Sequence, residues 1–233
     1  MTRPAYYAPT GTPSGDFIAL LHLPYTLWHL GYVAIGASLV LMVDLPRLGG
    51  TLVAFALGLG IGAHALDEVN DRPLGTSFSA VTLWVLGVAS FVGVAAVAAV
   101  GVVVISPWVL AWAAAGIALA VGYAFEWPAW LHTEWGFALA WGAFPVLAGF
   151  WAQAETVEPS ALVVAAAAAL LSRAQRTLST PARHVRRQVN RAEVILDGAT
   201  WDRDRLLKTW EDPLQLLSWA VLVMAVGLVL ARL

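Results

Sequence analysis

The chain has 233 residues, 60% of them hydrophobic and 12% charged, with a mean hydropathy of +0.74 and 12 tryptophans. Soluble domains carry about 25% charged residues, so this composition excludes an ordinary water-soluble enzyme and points to an integral membrane protein. Cysteine is absent, which excludes disulfides, thiolate metal sites and cysteine nucleophiles. The net charge of -2 hides an asymmetry: three Lys and Arg against nine Asp and Glu up to Leu171, then ten against six from Ser172 onward.

Taken in chain order, residues 1–16 carry one Arg and lack the apolar core of a signal peptide, so they read as a short polar tail. A spanning helix needs about 20 apolar residues, and six stretches qualify: 17–43, 51–70, 78–101, 107–125, 135–153 and 213–231. A seventh, 160–178, is Ala-rich and ends in charges. The expected class is therefore all-α: a polytopic transmembrane helix bundle of about seven spans. The connection 153–159 holds Glu155 and Glu158 and no base, whereas 173–212 holds nine Lys and Arg. By the positive-inside rule the long connection is cytoplasmic. Counting back, the N-terminus and the connections 67–77 and 125–134 are expected on that same face of an inner or plasma membrane.

Residues 181–212 form the long polar connection. Ser179 or Thr180 followed by Pro181 suits a helix start, Val185, Val189 and then Ala192 or Ile195 fall on one side at helical spacing, and Gly198 suits a stop. The segment reads as a basic amphipathic helix on the cytoplasmic surface, between a bundle over 17–180 and a final transmembrane helix over 213–233. Anionic headgroups alone account for most of those charges. Gly58 and Gly62 in LGLGIG form a small-xxx-small face for close helix packing. Trp84, Trp108, Trp112, Trp127, Trp130, Trp135 and Trp151, mostly near the span ends, read as an interfacial belt. His22 and His29 are seven apart and share a helix face, as buried hydrogen-bonded residues or as groups lining a cavity.

The stretch GAHALDEVNDRPLGT places charge directly after an apolar run. Asp67 and Asp71 are four apart and lie on one helical face, flanked by His64 and Glu68. Pro73 disfavours helix at Arg72, so Asp71 falls in the last turn, where the helix dipole disfavours carboxylates. A cation is expected nearby: Arg72, the distant arginines on the same face, or Mg²⁺, which takes one or two carboxylates plus phosphate oxygens. A His64–carboxylate metal site is the weaker alternative, since the two-His helical spacing is missing. The bland reading is the polar end of a span.

Three stretches resemble the UbiA superfamily of intramembrane prenyltransferases, in its menaquinone and 4-hydroxybenzoate branch. FIALLHLPYTLWHLGYVAIGA is similar to the opening helix, and AHALDEVNDR to the first Asp-rich motif, with Asp67 and Asp71 on its last two acids and Ala63 and His64 where Asn and Asp are expected. GYAFEW and EWGFALAWGAFPVLAGFWAQ resemble the fourth and fifth helices, with Tyr123, Gly142 and Pro145 matching. The resemblance covers about residues 17–180. It implies a UbiA-like bundle that binds an isoprenyl diphosphate through Mg²⁺ and transfers the prenyl group to an acceptor. Where the second Asp-rich motif belongs, the chain reads LLSRAQRTLSTPARHVRR, with Arg and no acid.

The resemblance so modified implies Asp67 and Asp71 as catalytic Mg²⁺ ligands. Arg72, Arg173, Arg176, Arg183, Tyr123 and His64 are then expected around the diphosphate, because guanidinium groups bind phosphate bidentately without metal. The alternative is a non-catalytic relative that binds an isoprenoid, quinone or carotenoid lipid, or serves as a subunit beside a partner chain. No nucleic-acid partner is expected.

Overall fold

The computed structural model describes residues 8–189, 192–196 and 198–233. Thr12 caps α1 (Pro13–Leu21) by accepting from Gly15 N, and Pro13 supplies the preset φ of a first turn. His22, at φ 41°, separates α1 from α2 (Leu23–Ala37), and the two are bent by 41°. Asp44 caps α3 (Leu45–Asn70), whose middle, Ala56–Ala63, is wound as π-helix. Ser79 caps α4 (Ala80–Val104), and α5 (Val109–Ala124) comes after a short turn. Thr133 caps α6 (Glu134–Ala154), which contains a second π-helical stretch at Leu139–Ala143. Helix α7 is Pro159–Gln188. Strands β1 (Glu193–Leu196) and β2 (Ala199–Asp202) then pair antiparallel, Glu193 opposite Asp202 and Leu196 opposite Ala199. Asp202 caps α8 (Arg203–Leu230).

Among the described residues five helices (α3, α4, α6, α7 and α8) are long and apolar enough to cross a membrane, and α1 with α2 makes a sixth when the bent pair counts as one span. The remaining expected span, 107–125, is the 16-residue α5. At 1.5 Å per residue it reaches about 24 Å, short of a hydrocarbon core about 30 Å thick.

The basic segment 181–212 is not a separate surface helix. Helix α7 runs through Pro181 to Gln188, the β-hairpin comes next, and α8 begins at Arg203, ten residues before 213. The expected boundaries at 180 and 212 therefore fall inside helices. Proline removes the donor that Thr177 O would accept from and crowds the preceding turn, yet α7 continues through it to Gln188, as helices in membranes tolerate. The Thr177 and Ser179 hydroxyls donate to other carbonyls of that turn, Arg173 O at 3.0 Å and Arg176 O at 3.3 Å. Gly198 marks a hairpin rather than a helix stop, at φ +76° in the left-handed region that glycine enters without strain. Among the described residues this hairpin is the exception to an otherwise helical fold.

The core forms where α2 lies against α6. A Cβ on Gly36 would stand 2.0 Å from Val146 O, and one on Gly149 would stand 2.1 Å from Val33 O, so the two backbones approach with nothing between them. Trp28, Tyr32, Ile35, Val146, Ala165, Ala168, Val221 and Ala225 close over this contact from α2, α6, α7 and α8. Gly58 and Gly62 face Val94 and Phe91 of α4, the close packing expected of that pair.

Candidate functional site

Four carboxylates collect near the end of α3, and the fold uses them differently. Glu68 is fully buried and accepts from Leu74 N (2.9 Å), Thr76 N (2.7 Å) and Thr76 Oγ1 (3.0 Å). Asp16, also fully buried, accepts from Ser77 N (2.7 Å) and Oγ (2.6 Å), and from Thr10 N and Gly11 N. These two acids hold the 71–79 loop by saturating its backbone donors, which could not be left unpaired at such depth. Arg72, at φ 49°, donates to Thr76 O and Phe78 O within the same loop. It is part of the loop's scaffold. Arg187 of α7 donates to Pro73 O at 2.8 Å, so this loop and the Arg-rich end of α7 share one end of the bundle.

Asp67 is half-buried, and Asp71 is exposed in the helix-terminating position after Asn70, at φ -132°. Among the described residues neither forms an ion pair with Arg173 or Arg176. Asp67 lies within electrostatic reach of the Tyr25 and Tyr123 hydroxyls, as do Arg176 and Arg183. His64 donates through Nδ1 to Gly60 O, and its ring lies 5.6 Å from Tyr25 and 5.7 Å from His22.

A polar pocket of about 130 Å³ opens beside these groups. Because α7 continues past Pro181, Arg176, Ser179, Arg183 and Arg186 recur at three- and four-residue steps and line one wall. His22 and Tyr25 enter from the α1–α2 bend, Tyr123 from α5, Phe137 from α6, and Glu211 and Leu214 from α8. Arg176 hydrogen-bonds the Tyr123 hydroxyl and His132 O and lies 5.1 Å over the Phe137 ring. Tyr123 in turn stacks on His132 at 4.8 Å. Arg186 is ion-paired with Glu211. With three arginines and one carboxylate on its walls, the pocket is electropositive. Arg173 is outside it, paired with Glu134 at 3.5 Å and held 4.2 Å over the Trp135 ring.

A second cavity, about 260 Å³ and almost wholly apolar, lies among α3, α4, α5 and α6. Glycines 50, 58, 101 and 116 make room for it, and Trp112, Phe144 and Trp151 wall it. Its far end is closed by Arg47, which pairs with Glu155 at 3.0 Å. Between the two cavities stands a layer built on Leu59, Ala63, Ala120, Phe137 and Trp141, with Tyr25 and Tyr123 packed on it. Both π-helical stretches border this layer. A π turn carries more residues than an α turn, so it shifts the register of the residues after it, here His64 and Asp67 after the first and Trp141 within the second.

The structure thus brings Asp67, Tyr123, His64, Arg176 and Arg183 together and leaves Arg72, Arg173 and Asp71 elsewhere. Sequence reasoning gave no place in a site to Arg186, Gln175, Ser179 or Glu211, which all line the polar pocket. The helical step from 176 to 186 carried the signal and was hidden by reading Pro181 as a helix start. Among the described residues no group of three or more His, Cys, Asp or Glu side chains is placed to hold a metal ion. No protein-family model, curated protein or solved structure matches the chain.

Proposed function

We propose that this protein takes an isoprenyl diphosphate from the membrane and acts as a divergent, UbiA-like prenyltransferase. One observation carries this reading: the arginine-lined pocket at the polar end of an otherwise apolar bundle. Arg176 and Arg183 bind the diphosphate oxygens by charge-assisted hydrogen bonds. Tyr123 holds Arg176 in place. The apolar bundle takes the isoprenoid chain and keeps water from the reacting carbon. The excess of Arg at this end puts the pocket on the cytoplasmic side.

Mg²⁺, when bound, neutralises a departing diphosphate. The residues here offer it one carboxylate, Asp67, with the remaining ligands coming from phosphate and water. Diphosphate recognition in this proposal therefore falls on the arginines. That single carboxylate also favours a second reading, a non-catalytic relative that binds the same lipid without transferring it.

The test is purified protein in nanodiscs with labelled geranylgeranyl diphosphate, Mg²⁺ and membrane lipid extract. Saturable binding that weakens at least tenfold in Arg176→Gln and Arg183→Gln, with transfer of label to a lipid acceptor, supports the enzyme. Binding without transfer selects the non-catalytic relative, and binding unaffected by both variants removes the site.

A further inference from the structure

The three arginines of the polar pocket differ in depth and in what they touch. Along α7 the Ala-rich apolar run comes first, then Arg176, Arg183 and Arg186, so Arg176 lies nearest the apolar interior and Arg186 nearest the polar end. At 1.5 Å per residue, Arg186 stands about 15 Å beyond Arg176 along the helix and about 4.5 Å beyond Arg183. Arg176 donates to two neutral oxygens, the Tyr123 hydroxyl and His132 O. Arg186 meets a charge instead. Its Nε donates to Glu211 Oε1 of α8 at 3.0 Å, and a terminal nitrogen donates to the same oxygen. Glu211 is the one carboxylate among the described residues that line this pocket.

The backbone here is held independently of that pair. Arg203, 7% exposed, donates through Nε to Val189 O at 2.6 Å and through a terminal nitrogen to Arg186 O at 2.9 Å, which occupies carbonyls at the end of α7. The Arg186–Glu211 contact is therefore a relation between two side chains, both partly exposed, and pairs of that kind contribute little to stability. It does have an electrostatic effect. Arg183 and Arg186 are like charges three apart on one helix face and repel each other. Glu211 relieves this by placing an anion beside Arg186, where a phosphate would have the same effect.

We propose that Arg186 and Glu211 read the terminal phosphate of the ligand, which displaces the Glu211 carboxylate from the Arg186 guanidinium. The proposal rests on the diphosphate reading and adds a specificity device to it. A ligand whose chain points to the apolar interior offers its first phosphate to Arg176 and Arg183 and its terminal phosphate to Arg186. A monophosphate ends before Arg186 and leaves the ion pair intact. Carboxylate and phosphate compete for one guanidinium, so Glu211 also limits how tightly a diphosphate is held.

The test is titration of the protein in nanodiscs, at fixed Mg²⁺, with geranylgeranyl diphosphate and geranylgeranyl monophosphate, beside Glu211→Gln and Arg186→Gln. Gln at 211 keeps an acceptor oxygen for Arg186 and removes the charge. Diphosphate binding should tighten about fivefold in Glu211→Gln and weaken about fivefold in Arg186→Gln, the size of one net hydrogen bond. Monophosphate binding should change less than twofold in both, which also shows that each variant is folded. Equal shifts for the two ligands in either variant overturn the proposal and leave the diphosphate reading standing. So does a Glu211→Gln protein that keeps its monophosphate binding without tightening on diphosphate. Should Glu211→Gln fail to fold, Arg186→Gln decides alone, by selective or equal weakening. A wild-type protein that binds neither ligand, or whose binding ignores Arg176→Gln and Arg183→Gln, removes the reading and the proposal together.

Discussion

The two cavities share a wall and almost nothing else. The polar pocket is built from one face of a single helix, with long charged side chains converging from α7 and one acid from α8. The apolar cavity is built from absences, glycines on α3, α4 and α5 that leave room between aromatic rings. In the first, each wall residue can be identified by what its head group does. In the second, the residues that matter are those with no side chain. A substitution that adds charge or removes it should therefore act on the pocket, and one that adds volume should act on the cavity.

The largest effect is expected where both depend on one contact. Gly36→Val places carbon atoms against Val146 O, 2.0 Å from the position a Cβ would take, and must push α2 from α6. Overpacking costs about 1–3 kcal/mol where side chains can give way and more against backbone. Loss of monodisperse protein on size-exclusion chromatography checks it, with Gly227→Val, which meets open space, as the comparison. Next, Glu68→Gln replaces one of the two acceptor oxygens with an NH2 group, so either Leu74 N or the Thr76 N and Oγ1 pair loses its acceptor. A loss of about 2 kcal/mol, seen as a lowered Tm, is expected, along with faster proteolysis of the 71–79 loop.

A smaller effect separates the arginines. Arg176→Gln should weaken diphosphate binding at least tenfold, while Arg173→Gln should change it less than twofold, because its ion pair with Glu134 is surface-exposed. Titration with geranylgeranyl diphosphate in nanodiscs distinguishes them. The smallest perturbation tests orientation alone. The chain has no cysteine, so Glu193→Cys and Ser106→Cys can be labelled singly. An impermeant maleimide should reach Glu193→Cys only from the cytoplasmic side and Ser106→Cys only from the other, with stability unchanged.

The sequence made some of this legible and concealed the rest for identifiable reasons. Long apolar runs marked α3, α4, α6 and α8, because lipid demands continuous helices. The shared end of the 71–79 loop and the basic segment emerged from counting spans, and Arg187 bonding Pro73 O agrees with it. Helix continuity through Pro181 was not legible, since Ser179–Thr180–Pro181 has the local signature of a helix start and tertiary packing, which overrides it, is not weighed by local propensity. Nor was the division of labour between adjacent acids. Asp67 and Asp71 have the spacing of a metal pair, yet Glu68 is the fully buried acid, because three loop donors converge on it and spacing carries no record of where a loop folds back.

Glu211 and Leu214 of α8 complete a pocket that begins at His22. The order of synthesis gives this a consequence. As helices enter the membrane in turn, the arginines of α7 arrive before the acid that pairs Arg186, and the pocket lacks its α8 wall until that helix is inserted. The site is therefore closed only when α8, made after all its other walls, is in place. A protein arrested before that step would hold its basic face open to anionic lipid, so membrane composition during biogenesis is a variable on which its assembly depends.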